Sequence, residues 1–317
     1  MSNDPRELLS SALSLWWLRP ENGLAIASYT HNGYDFFPKE GQVAADYACG
    51  DGINTFFKAG GRFDKNFDIF GAAVRSASAD QIVGEKIDVF DHFDESYQPA
   101  VVKRPDVKFA YGTDHKAKLL QKADRLGYYD NLIEADLAND VEIADESLDI
   151  VYCNSLYWTP VPEQALGHMY KKLKPGGLAV FDVMTTHRKA LRYQHLMPTM
   201  STAWQNLMNR GRDQNNPGIR SDREWRKLFE ANGAAKLEDV RNIFPSAIAH
   251  VWNIGLRPIF PVLNRMVQAI PDASDVQGIK EEWVETWTDL MLPLLLEPQE
   301  FPNTGTQVRL QYVARKK

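Results

Sequence analysis

Short apolar runs alternate with amphipathic stretches through most of this chain. Val43 to Cys49, Val107 to Gly112, Leu148 to Cys153 and Leu178 to Met184 each end at glycine or a polar residue, the form of parallel strands buried on both faces. Leu132 to Leu137 reads as a further short strand. Between them, Lys116 to Leu126 puts Ala117, Leu120, Ala123 and Leu126 on one helical face, and Gly127 stands where a C-terminal cap belongs. Pro162 to Leu173 repeats the pattern with Ala165, Leu166, Met169 and Leu173, then stops at Lys174-Pro175-Gly176-Gly177. Strands alternating with helices of about ten to fifteen residues predict an α/β fold with a doubly wound, mostly parallel sheet.

Other stretches lie outside that alternation. Residues 1–40 read as a helix followed by an irregular aromatic segment: Leu8, Leu9, Ala12, Leu15 and Trp16 recur at helical spacing, and Pro20 ends the pattern. The core would span 41–244, interrupted by a glycine- and aspartate-rich insertion over about 58–106. Residues 245–305 read as a helical cap, where Ile279, Trp283, Trp287, Leu290 and Leu294 form a stripe suited to core packing. Residues 306–317 alternate through Val308, Leu310, Tyr312 and Ala314 as a closing strand. Trp204, Trp252, Trp283 and Trp287 suit core packing better than an aromatic acceptor pocket.

Composition narrows the function. With 317 residues, 44% of them hydrophobic and 25% charged, the chain can bury a sizeable core. The net charge of -6, from 36 basic and 42 acidic residues, comes with no basic stripe and argues against a nucleic-acid partner. Cys49 and Cys153 are far apart and match neither a disulfide framework nor a zinc spacing, so no metal is expected and a reducing cytoplasm suits the chain. No export signal is expected, since Asp4, Arg6 and Glu7 replace a basic leader. Nor is stable membrane insertion, because the longest apolar stretch, Ile243 to Leu263, holds His250, Asn253, Arg257 and three prolines. Homo-oligomerisation stays open.

Candidate chemistry begins at Asp46-Tyr47-Ala48-Cys49-Gly50-Asp51-Gly52, where a strand feeds a glycine turn that opens a helix. Two positions without Cβ let the backbone approach a ligand closely. The second strand leads to Asp114, an acid placed to accept from both ribose hydroxyls of a nucleoside. The third ends near Asp136, which can accept from an adenine amino group while Leu137 packs on the ring. The fourth runs into Asn154 and Ser155. Polar groups at successive carboxyl ends describe a ligand crevice at the sheet edge.

This ordered set resembles the class I S-adenosylmethionine (SAM)-dependent methyltransferases. The resemblance rests on the D-x-A-C-G-D-G turn, on Leu173-Lys174-Pro175-Gly176-Gly177, which is similar to their helix-to-strand turn, and on Ser155-Leu156-Tyr157-Trp158 after the fourth strand. It covers roughly 40–57 and 107–244 and implies a seven-stranded Rossmann-like sheet with inserted and C-terminal helical caps. By resemblance, Asp46, Ala48, Gly50 and Gly52 surround the methionine part of SAM. Asp114, with His115 beside it, holds the ribose; Asp136 and Leu137 bind adenine, and Asn154 lines the pocket near the sulfonium. The ribose acid falls 62 residues after Gly52, three times the usual gap of about 20. An insertion explains the excess; otherwise Asp68 or Asp88 would take the ribose role.

The resemblance implies methyl transfer to an O, N or C atom of a small-molecule acceptor such as a metabolite, sugar or natural product. A hydroxyl or protonated amine acceptor needs a base, for which His187, His195, His31, Tyr29 and Tyr34 are candidates. Two other readings compete. A catalytically silent SAM-binding subunit could dock a partner through its C-terminal helices. A nicotinamide-dependent oxidoreductase is disfavoured because Thr55 stands where its third glycine belongs.

Overall fold

The computed structural model describes residues 4–69, 93, 95–191, 199, 201–202, 216–297 and 307–317. Helices α1 (Pro5–Leu15) and α2 (Pro20–His31) precede strand β1 (Ala44–Tyr47) and the short α3 (Ile53–Lys58). Strands β2 (Arg62–Phe63) and β3 (Val101–Lys103) pair antiparallel, so the two ends of the insertion meet in a small ribbon. Next come β4 (Phe109–Asp114), α4 (Ala117–Leu126), β5 (Tyr129–Glu134), β6 (Leu148–Cys153), α5 (Pro162–Lys172) and β7 (Leu173–Met184). The remainder holds α6 (Asp222–Phe229), β8 (Ala235–Asn242), α7 (Ser246–His250), α8 (Phe260–Gln268), α9 (Ala273–Leu296) and β9 (Arg309–Lys316).

The seven-stranded sheet runs β5-β4-β1-β6-β7-β9-β8, parallel except for β9, which is antiparallel to both neighbours. Strand order reverses at β1, which pairs with β4 on one side and β6 on the other. Such a reversal opens a crevice at the carboxyl ends of the strands. One face packs against α1–α4 and the C-terminal helices through Leu8, Leu9, Ile26, Phe56, Phe57 and Tyr152. The other packs against α5 and α6 through Val151, Leu166, Met169, Phe181, Trp225 and Phe229. All four β1 residues are buried, as a central parallel strand requires.

Several boundaries differ from the sequence expectation. Helix α1 ends at Leu15, ahead of Pro20, and Pro20 instead opens α2 at its first position, where proline's fixed φ and missing N–H cost nothing. Strand β5 ends at Glu134, so Asp136 lies in the turn beyond it. The Lys174-Pro175-Gly176-Gly177 segment lies within β7 as an irregularity: Leu148 pairs with Leu173, whereas Ile150 pairs with Leu178. In α9 the buried positions are Lys280, Val284, Thr288 and Leu295, while Ile279 and Leu290 are exposed and Trp283 and Trp287 flank the core. The packing stripe is therefore offset by one residue from the apolar stripe in the sequence. Trp252 is buried, as expected of a core residue, and Trp204 lies outside the described residues.

Candidate functional site

The glycine turn is held by the end of β4. Cys49 N–H donates to the Thr113 carbonyl at 2.8 Å, and Gly50 N–H donates to Asp114 Oδ2 at 3.0 Å. Asp114 Oδ1 accepts from Lys116 N–H at 2.9 Å, so the buried carboxylate faces the turn with lone pairs to spare. The turn uses left-handed backbone at Ala48 (φ 54°), Gly50 (φ 61°) and Gly52 (φ 75°). The two glycines serve different ends. A Cβ at Gly50 would meet only Leu119 Cδ1, at 4.0 Å, so the space beside its backbone is open. A Cβ at Gly52 would come within 2.6 Å of the Tyr129 ring, so glycine there answers to packing.

Asp46, at the end of β1, is fully enclosed. Its Oδ2 accepts from Thr55 Oγ1 at 2.6 Å and from the Tyr129 hydroxyl at 2.7 Å, while Oδ1 is buried without a hydrogen-bond partner. Burial pushes its pKa up to about 7, against the pull of the two hydroxyls and of Lys58. Thr55, the residue that disfavours a dinucleotide fingerprint, is thus the partner of the strand-end acid.

Asp114, Ala135 and Asp136 draw together because Ala135 N–H donates to the Asp114 carbonyl at 2.9 Å. Asp136 is exposed and caps its own turn through Ala138 N–H at 2.8 Å; Leu137 is half-buried. His115 is exposed, its Nδ1 3.5 Å from Asp114 Oδ1. Tyr47 pairs with Cys153, which sets Asn154 beside Ala48. The structure therefore brings Asp46, Ala48, Gly50, Gly52, Asp114 and Asn154 to one edge of the sheet. The alternative ribose acid Asp68 instead accepts from Trp17 Nε1 at 2.6 Å, and Asp88 lies outside the described residues.

The candidate bases fare differently. His31 and His187 are exposed, and His195 lies outside the described residues. Tyr34 gives its backbone N–H to Gln311 Oε1. Tyr29 is buried on α2 and lies under the Arg309 guanidinium, 4.4 Å from ring centroid to Cζ. Burial raises its pKa, although Arg309 pulls the other way, so its phenol stays protonated near neutral pH.

A buried polar network behind the glycine turn escaped the sequence reading. Lys58 Nζ meets Asp182 Oδ2 at 2.6 Å and the Tyr152 hydroxyl at 2.9 Å; Tyr152 also donates to Asp182 Oδ2 at 2.8 Å, and Gln311 Nε2 to Oδ1 at 2.8 Å. Burial lowers the Lys58 pKa against the opposing pull of Asp182. It would raise that of Asp182, but the charges of Lys58 and Arg309 and the hydrogen bonds of Lys58 and Tyr152 bring it below the usual carboxylate value. A charged residue inside each apolar run was the available signal: Asp182 in Leu178–Met184, and Arg309 and Gln311 on the reverse face of the closing strand.

The strand order with an antiparallel β9, and the glycine turn at the switch point, are those of the Rossmann-like methyltransferase fold. Residues 96–181 match the family model described as a methyltransferase domain, a span running from the ribbon into β7. No curated protein matches the chain by sequence. Among solved structures, a Haloferax volcanii methyltransferase in complex with a methyltransferase activator is 14% identical over 95% of this chain and 94% of that chain, with a TM-score of 0.44. Phosphoethanolamine N-methyltransferase 2 of Haemonchus contortus, in complex with SAM, is 12% identical over 99% of this chain and 58% of its own, with a TM-score of 0.47. Geranyl diphosphate C-methyltransferase of Streptomyces coelicolor is 11% identical over 94% and 80%, with a TM-score of 0.40. These distant likenesses carry no argument about acceptor or partner.

The residues present fit SAM. Gly50 leaves a cradle that a Cβ would fill, and Asp114 offers a buried carboxylate beside it. Among the described residues no group of acids, histidines and cysteines is arranged to hold a metal, and no helix is long and apolar enough to cross a membrane.

Proposed function

We propose that this methyltransferase acts on an O, N or C atom of a small-molecule acceptor. In this reading Asp46, Ala48, Gly50 and Gly52 enclose the methionine part of the cofactor. Asp114, flanked by His115, accepts from the ribose hydroxyls; Asp136 and Leu137 flank adenine, and Asn154 faces the sulfonium. SAM supplies a methyl already activated by a positively charged sulfur. The chain's part is to aim the acceptor at that carbon and keep water out, so orientation dominates the catalytic demand. The observation that carries the reading is the open space at Gly50 with Asp114 bound to the same backbone amide.

The acidic chain, with no basic stripe, supports a small acceptor over a nucleic acid. Cys49 and Cys153 are free and buried, in keeping with a reducing cytoplasm. Recognition of the acceptor falls to the regions outside the shared core, 1–40, 58–106 and 185–300. A Gly50→Val variant tests the cradle. Its branched side chain enters the open space, so affinity for S-adenosylhomocysteine (SAH) should fall about tenfold or more, at a folding cost of about 1–2 kcal/mol for the left-handed backbone. Unchanged SAH affinity in the folded variant would move the cofactor elsewhere.

A further inference from the structure

Arg309 opens β9 opposite Met184, the last residue of β7, which places it at the carboxyl edge of the sheet. It is only 6% exposed. Nη2 donates to the Asn154 carbonyl at 3.1 Å and Nη1 to the Tyr157 hydroxyl at 3.3 Å. The guanidinium also sits over the Tyr29 and Tyr157 rings, 4.4 and 5.5 Å from their centroids. All of these neighbours are neutral. Its Nε is buried with no hydrogen-bond partner, and among the described residues no carboxylate pairs with it. The nearby Asp182 is already joined to Lys58 at 2.6 Å and accepts from Tyr152 and Gln311 as well. Among the described residues Asp182 is thus the carboxylate bonded to Lys58, and Arg309 is left with no carboxylate bonded to it.

Arginine cannot shed its proton to escape burial, so an unpaired guanidinium in low dielectric needs an anion or costs the fold heavily. Here the cost is placed beside Asn154, where the methyl donor's own positive sulfur is proposed to lie. A neutral acceptor would leave both cations unbalanced, whereas an anionic one offsets them.

We propose that Arg309, with the Tyr29 and Tyr157 hydroxyls beside it, is an oxyanion site that binds a carboxylate or phosphoryl group of the methyl acceptor. The inference rests on the SAM-dependent reading above and narrows its acceptor to an anionic small molecule. An oxyanion can bridge Nε–H and a free terminal N–H of the guanidinium, the side-on geometry that arginine offers. Tyr157 accepts from Arg309 and keeps its own O–H to donate.

Calorimetry on SAH-saturated protein, with inorganic phosphate and acetate as separate probes, tests the site. The intact protein should bind at least one probe at millimolar concentration, and Arg309→Gln should weaken it about tenfold or more while SAH affinity changes less than about threefold. Arg309→Lys, which keeps the charge and loses the planar fork, should weaken the same probe about threefold or more and serves if the glutamine variant does not fold. Neither probe binding to the intact protein, or equal binding by the variants, overturns the proposal. So does loss of SAH affinity by about tenfold in Arg309→Gln, which would assign the guanidinium to the cofactor's own carboxylate. The probe titrations are repeated without SAH. If SAH itself fails to bind, the methyltransfer reading falls, and these titrations still decide the anion site.

Discussion

Asp46 meets opposing forces at the end of β1: burial disfavours its charge, while Thr55, Tyr129 and Lys58 favour it, and burial wins. Its pKa of about 7 lies above the ordinary 3.8, so between these values the folded state holds a proton that the unfolded chain has lost. This contribution to stability is complete below about pH 4 and disappears as pH rises through 7, amounting to roughly 4 kcal/mol. In Asp46→Asn the amide keeps an acceptor for both hydroxyls and cannot titrate. Urea midpoints from pH 4 to 8 should therefore show wild-type stability falling relative to the variant, and parallel curves would refute this titration. Lys58 and Asp182 obey a different rule, since each is paired in the interior. Lys58→Met strands the Asp182 carboxylate and should cost about 3–5 kcal/mol, whereas pairing it with Asp182→Leu should recover part of the loss. Strictly additive losses in chemical denaturation would show that the pair is not coupled. The sequence exposed Asp46 and Asp114 because they close strands. It hid Lys58, because a lysine ending a short helix looks like an ordinary surface residue.

At the scale of elements, legibility tracked how one-sided each element is. Helix α4 buries one face and ends at Gly127 (φ 66°), and both features could be read directly. Helix α2 is buried on nearly every side, from Leu24 through Tyr29, so it has no amphipathic period to detect. Helix α9 misled in another way: its most apolar stripe flanks the core, while Lys280 and Thr288 occupy buried positions by spending their polar groups on backbone carbonyls of Lys65, Phe67 and Val284. Leu295→Ala should thus cost about 2–5 kcal/mol and Leu290→Ala under about 0.5 kcal/mol, as thermal unfolding would show. Equal losses would restore the stripe read from the sequence. Strand β6 was read to its exact ends because it is apolar, central and bounded by charge and turn. Strand β4 lies two residues later than its apolar run and β5 three residues earlier, because the apolar run and the hydrogen-bonded ladder do not coincide there.

For the whole molecule, sheet order is the property that no stretch of sequence contains. Alternating strands and helices implied a doubly wound sheet, but the adjacency of β1 to both β4 and β6 comes from the fold. That adjacency carries Asp114 across the insertion to Gly50, so a separation of 64 residues closes to a single hydrogen bond of 3.0 Å. It also explains why the Arg309 site could not be read from sequence: Tyr29, the Asn154–Tyr157 segment and Arg309 lie on three separate parts of the chain. The most direct test of the account is calorimetric titration of SAH into the folded, cofactor-free protein and into Asp114→Ala. The intact chain should bind SAH with a micromolar Kd, weakened about tenfold or more in the variant. No binding by the intact protein would contradict it.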